Sequence, residues 1–127
     1  MKLKSGFLIL ITLLMLAGCK NKITIEGFDV EKWKTDKGGC EGLRQEIKPD
    51  FLKIKNQLKG YSSTEIIEYL GRPDKEDLRS RNQKFFYYYL EPGKHCDEPR
   101  GVSKAEKITI RFSAMNLATE INYSFVE

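Results

Sequence analysis

The sequence predicts an α+β domain in which N-terminal helices pack on a three-stranded antiparallel sheet. Three observations predict it. A helix with its own start and stop signals occupies 62–70, an apolar stripe at helical spacing precedes it, and three β-like runs follow it. Helices grouped before strands give a two-layer α+β order rather than alternating βαβ units.

The bounded helix comes first. Gly60 breaks the segment before it, and Ser62 is a good N-cap because its hydroxyl accepts from a backbone N–H of the first turn. Glu65 lies three residues on, where its carboxylate reaches back to the Ser62 amide in a capping box. Ile66, Ile67, Tyr69 and Leu70 supply the apolar face. Gly71 follows as a C-terminal cap and Pro73 prevents continuation. Upstream, Leu43, Ile47, Phe51, Ile54 and Leu58 form one buried stripe. Pro49 interrupts it and disfavours helix at Lys48, which predicts a kink or break there and a helix over 50–59. A shorter helix over 29–36, capped by Asp29 and ended by Gly38-Gly39, carries Trp33. A lone Trp at helical spacing reads as a core anchor before a binding hot spot.

The strands follow. Asp74 to Lys84 is polar and reads as a loop. Phe85 to Leu90, FFYYYL, is the strongest strand signal in the chain. Lys107 to Phe112 and Thr119 to Phe125 alternate apolar and polar residues. Asn116, tolerant of positive φ, lies in the turn between them. In FFYYYL, Phe86, Tyr88 and Leu90 are expected to point inward. Phe85, Tyr87 and Tyr89 then face away from the core, as a partner-binding patch or beneath a covering N-terminal helix with Trp33.

The N-terminus is of a different kind. Met1 to Lys4 has two lysines and no acid, Phe7 to Ala17 is almost wholly apolar, and Leu16-Ala17-Gly18-Cys19 closes the run. This is the pattern of a secretory signal with a small-residue cleavage site, and too short a run to span a membrane. Leu-Ala-Gly-Cys also matches the lipobox of bacterial lipoproteins. That match implies that residues 1–18 are a signal peptide and that Cys19 is lipidated, palmitate included, and anchors the protein in a membrane. An ordinary secretory signal is the alternative. Three acyl chains bind firmly where one is marginal. Lys20 is not the aspartate that retains lipoproteins in the inner membrane of enterobacteria, so the outer membrane is favoured, with periplasmic or surface exposure left open. Residues 19–27 read as a tether and 28–127 as a single domain.

Charge and cysteines bound the function. The chain has 22 Lys+Arg and 18 Asp+Glu; removing 1–18 takes Lys2 and Lys4, leaving 20 against 18. So balanced a domain gives no electrostatic case for nucleic acid. Cys40 and Cys96 remain as an even pair in an oxidising compartment and are expected to form a disulfide. A metal site on Cys40, His95 and Cys96 is the weaker reading: His95 and Cys96 are adjacent, and neither C-x-x-C nor H-x-x-x-H accompanies them. Two free thiols are a third. There is one histidine, no G-x-S-x-G and no glycine-rich phosphate loop, and the acid pairs Glu76/Asp77 and Asp97/Glu98 lie in polar loops. The chain therefore reads as a non-enzyme, with no catalytic, cofactor or metal site assigned.

Gly60-Tyr61-Ser62, Glu65-Ile66 and Leu70-Gly71-Arg72-Pro73, followed by an aromatic strand and two more, resemble the small outer-membrane lipoproteins of the SmpA/OmlA (BamE-like) family. The likeness covers 50–125. Tyr61 replaces the family's usual Met, and the segment before Pro49 and the Cys40/Cys96 pair are additions. The resemblance implies a BamE-like two-layer fold in a divergent envelope lipoprotein that scaffolds or binds another envelope protein. A related fold serves proteins that inhibit hydrolases, so a hydrolase-inhibitor or ligand-binding lipoprotein is the competing expectation.

Overall fold

The computed structural model describes residues 22–124. Cys19, the lipobox and Phe125 lie outside the described residues. The body begins at Ile23, which is only 5% exposed and belongs to the core cluster with Phe28. Within the stretch expected as tether, Ile23 is buried in the core and Ile25 packs against it, while Lys22, Thr24, Glu26 and Gly27 are exposed.

Helix α1 spans Val30–Thr35, with the Asp29 carboxylate accepting from the Lys32 amide at 3.0 Å. A 3₁₀ turn, Lys37–Gly39, ends this segment. Helix α2 spans Leu43–Ile54 and passes through Pro49, and a 3₁₀ turn, Lys55–Leu58, extends it. The expected break at Pro49 and the helix over 50–59 are corrected. Proline removes one i→i−4 bond and crowds the preceding turn, about 3 kcal/mol in a helix interior. Ile47, Phe51, Ile54 and Leu58 are all buried on one stripe, and their burial at roughly 1.5–3 kcal/mol each outweighs that penalty. Leu43 is only half-buried; beside it Arg44 is the buried residue.

Helix α3 spans Ser63–Leu70 with the capping box in place. Glu65 Oε2 accepts from the Ser62 amide at 2.8 Å, and Ser62 Oγ accepts from the Glu65 amide at 3.3 Å. Gly71 ends it at φ +85°, where a side chain would be strained.

The sheet has four strands, not three: β1 Lys75–Arg79, β2 Gln83–Tyr89, β3 Lys107–Phe112 and β4 Ala118–Ser124, in the antiparallel order β1-β2-β3-β4. Strand β1 falls in the stretch expected as loop. KEDLR has no apolar alternation because β1 is an edge: it pairs only with β2, from Lys75↔Tyr87 to Arg79↔Gln83. Charged side chains on an edge discourage pairing with another chain. The hairpin turn places Arg81 and Asn82 at positive φ. Between β3 and β4, Asn116 sits at φ 62°, as its turn position predicts.

Phe86, Tyr88 and Leu90 point into the core, with Ile108, Ile110, Phe112 and Ile121 on the same face. The helices cover this face. Trp33 is fully buried and stacks on Phe51 at 4.8 Å between ring centroids, with Phe28 edge-on to both. Its burial makes Trp33 a core anchor. The Tyr88 hydroxyl donates to the Gly71 carbonyl at 2.8 Å, tying β2 to the end of α3.

Candidate functional site

Two features stand outside the core: the sheet face turned away from the helices, and the corner where the disulfide lies. A buried ion pair positions both.

The outer face carries the column Phe85, Tyr87 and Tyr89. None of the three belongs to the core cluster, and Trp33 and Phe51 lie on the opposite face. The rings themselves are not open. Phe85 is half-buried, while Tyr87 and Tyr89 are only 9% and 5% exposed. Over Phe85 and Tyr87 the covering groups are basic side chains on neighbouring strands, not the N-terminal helix. Lys75 and Lys107 place their ammonium groups 5.9 and 5.3 Å from the Tyr87 ring centre. The Arg79 guanidinium stands 4.6 Å from the Phe85 ring centre and donates to the Tyr87 hydroxyl at 3.4 Å. Strand register explains this: Lys75 lies opposite Tyr87 on β1, and Lys107 opposite Tyr89 on β3. Their aliphatic stems cover the aromatic surface while their charges stay in solvent. Arg79 is paired with Asp77 and Arg111 with Glu120. Lys75 and Lys107 have no ion-pair partner within 4 Å among the described residues, so their charge is available to an acidic group.

Tyr89 is covered by His95, whose ring stacks on it at 3.7 Å and 12°. His95 lies on α4, Lys94–Asp97, in the long β2–β3 connection. Here Cys40 and Cys96 form the expected disulfide, across 56 residues of sequence. Cys40 is half-buried and Cys96 exposed. His95 Nε2 lies 2.6 Å from the Gly38 carbonyl, and Nδ1 lies 2.7 Å from Ser103 Oγ. A carbonyl only accepts, so Nε2 carries the proton and the Ser103 hydroxyl donates to Nδ1. Ser103 is buried, and its Oγ also accepts from the Ala105 amide at 3.3 Å. These contacts hold the loop.

Burial pushes the Tyr89 phenol above its ordinary range, with the Asp74 carboxylate and the neighbouring Tyr87 acting in the same direction. The hydroxyl is therefore neutral, and the face keeps the charge of its cations.

The element that fixes this geometry is absent from every sequence expectation. Arg44, 1% exposed, donates from Nη1 to Asp74 Oδ2 at 2.7 Å and to the Tyr89 carbonyl at 3.0 Å, and from Nε to the Trp33 carbonyl at 3.1 Å. Asp74 in turn accepts from the Tyr89 amide at 2.7 Å and the Gly38 amide at 2.9 Å. Asp36, fully buried, accepts from the amides of Glu41 and Arg44. One ion pair thus clamps Tyr89 of the outer face and Gly38 beside the disulfide. Glycine is required next to it: a Cβ on Gly39, at φ +65°, would stand 2.6 Å from the Leu90 carbonyl carbon. Arg44 stands beside the apolar stripe of Leu43, Ile47 and Phe51, but a charged side chain there reads as solvated, and only its distant partner Asp74 accounts for its burial.

No family model, curated protein or solved structure matches the chain.

Proposed function

We propose that the protein is a non-enzymatic bacterial envelope lipoprotein, anchored in the outer membrane through lipidated Cys19, whose α+β domain binds an acidic segment of another envelope protein. The observation that carries this reading is the outer face of the sheet. Phe85, Tyr87 and Tyr89 form an aromatic floor beneath Lys75, Arg79 and Lys107. Such a surface attracts carboxylates first and offers aromatic area once the lysine stems move aside. Electrostatic complementarity of this kind sets the encounter rate and excludes partners of like charge.

The short N-terminal link supports the arrangement. Ile23 packs in the core, and only three residues separate it from Cys19, four Cα–Cα steps with a reach of roughly 14 Å. Ile23 lies beside Val30 and Lys34 of α1 and Glu68 and Tyr69 of α3. An anchor at Cys19 holds the helical layer close to the lipid and leaves the outer sheet face for a partner. The lipobox and the resemblance to SmpA/OmlA lipoproteins point the same way.

The test is crosslinking in intact envelopes, comparing the wild type with Lys75→Glu/Lys107→Glu and with Cys19→Ser. The wild type should capture a stoichiometric partner whose crosslinked peptide is rich in Asp and Glu. The double reversal should lose it while melting like the wild type, and Cys19→Ser should leave the outer-membrane fraction. Equal capture by the double reversal refutes the face, and a lipid-labelled, membrane-bound Cys19→Ser protein refutes the anchor. A soluble hydrolase captured instead would support the inhibitor reading of the same face.

A further inference from the structure

We propose that Cys40, His95 and Cys96 form a redox-gated site for zinc, closed as the disulfide and competent once a dithiol reductant opens it. It rests on other observations than the outer-face reading, the two meeting only where His95 stacks on Tyr89.

The adjacency of His95 and Cys96 does not keep their donors apart. On the short turn of α4 they converge, with Cys96 Sγ 3.6 Å from His95 Nε2. The three donor atoms, two sulfurs and the imidazole nitrogen, all lie within 4.8 Å of one another. Zinc bonds of about 2.3 Å to sulfur and about 2.0 Å to nitrogen place tetrahedral donors roughly 3.5–3.8 Å apart. The sulfur–nitrogen pair already has that spacing. The two sulfurs must separate and Cys40 Sγ, within 4.8 Å of the imidazole nitrogen, must draw closer to it; Cys96, being exposed, has room to turn.

The histidine is held independently of the disulfide. Tyr89 stacks on its ring and the buried Ser103 hydroxyl meets Nδ1. Metal-bound histidines characteristically have the second ring nitrogen fixed in this way. In the disulfide form Nε2 donates to the Gly38 carbonyl. In the metal form the proton resides on Nδ1, Ser103 Oγ accepts from it, and the ring shifts so that Nε2 leaves the Gly38 carbonyl and directs its lone pair at the ion. A hydroxyl can serve in either direction. Gly38 closes one side, since a Cβ there would stand 3.1 Å from Cys40 Sγ and 3.3 Å from the His95 ring. The other side opens on a groove with Lys37, Arg100 and Val102 on its walls, which leaves a fourth position for water.

The chemistry balances. The reductant supplies two electrons and two protons and leaves as its own disulfide, and the Cys40–Cys96 bond becomes two thiols. Zinc takes both as thiolates, and their two protons go to solvent. Two thiolates cancel the charge of the ion, which suits a site with lysine and arginine nearby.

The experiment uses the detergent-solubilised full-length protein, oxidised or reduced with a phosphine, titrated with Co²⁺ and then Zn²⁺. A parallel Cys19→Ser background excludes any contribution from the third cysteine. The reduced protein should show a 1:1 cobalt–thiolate charge-transfer band that zinc abolishes, and the oxidised protein none. His95→Ala, which keeps both cysteines, should weaken binding at least tenfold, and Ser103→Ala by about 10–100-fold. No thiolate band in the reduced protein overturns the proposal, as does His95→Ala binding as tightly as the wild type. If reduction unfolds the chain, zinc should refold it, read by circular dichroism, because binding energy then becomes folding energy. A reduced chain that zinc fails to refold also overturns it.

Discussion

Replacing Arg44 with Met tests whether one buried ion pair organises the domain. Methionine fills much of the same volume and keeps the contact with Trp33, whose ring centre lies 4.7 Å from the guanidinium carbon. It removes the bonds to Asp74, Tyr89 and Trp33. Charged hydrogen bonds are worth about 1.5–3 kcal/mol each, which would sum to more than 4 kcal/mol if they were independent. They are not, because Asp74 keeps the amides of Gly38 and Tyr89. The loss of one partner of a buried pair, about 3–5 kcal/mol, is the better guide, since the main penalty is the carboxylate left without its counter-charge. Against a total stability of about 5–15 kcal/mol for a domain, that is a large fraction. Urea unfolding should show a lower midpoint at unchanged slope. Adding Asp74→Asn removes the stranded charge, so the double variant should be at least about 1 kcal/mol better than the sum of the two single losses. A loss under about 1 kcal/mol in Arg44→Met, or strict additivity in the double variant, would refute the reasoning.

Other consequences follow from the same contacts. Burial pushes the Glu106 carboxyl up, but hydrogen bonds from Tyr123, Gln45 and Lys48 outweigh it and hold the group below its usual 4.5. A depressed carboxyl stabilises the fold above that pH and loses its contribution as pH falls through the folded value, so Glu106→Gln should flatten the acid limb of a stability–pH curve. Opening the Cys40–Cys96 bridge, by Cys40→Ser/Cys96→Ser, releases a loop of 56 residues, which the chain-entropy model values at about 4 kcal/mol before strain. Calorimetry should then show a melting point lower by on the order of 15–30 °C. Ser62→Ala removes half of the capping box and should lose about 1 kcal/mol by chemical denaturation.

The parts of the fold that were legible are those whose causes lie close together in the chain. Ser62, Glu65, Gly71 and Pro73 act within one or two turns of helix, and α3 has the limits they predict. Alternation marked Phe86, Tyr88 and Leu90 as inward, because side-chain direction is a property of the strand itself. Strand β1 was illegible for the opposite reason. Its order comes from a ladder with β2, and a charged edge strand has the composition of a loop. Pro49 misled because a local rule met a tertiary cause: three stripe residues beyond it are buried against the sheet and keep the helix continuous. Ile23 belongs to the short β-like patch Ile23-Thr24-Ile25 in an otherwise polar stretch, too brief an alternation to mark it as core.

The same distinction separates what the candidate site shows from what its residues foretold. Alternation placed Phe85, Tyr87 and Tyr89 on the outer face, but their coverage depends on register across three strands, which brings Lys75 and Lys107 beside Tyr87. Each lysine read singly is a solvated charge; opposite a tyrosine it becomes a lid. Five successive large side chains in β2 are thus accommodated in two different ways. Those facing inward are buried by helices α1 to α3; of those facing outward, Phe85 and Tyr87 are roofed by the stems of basic residues and Tyr89 by the His95 ring, which keeps an aromatic sheet face compatible with water. A protein approaching this face meets positive charge before it meets aromatic surface. Under the proposed reading a partner would be selected by its carboxylates, and the clamp of Arg44 and Asp74 on Tyr89 holds that end of the column in register.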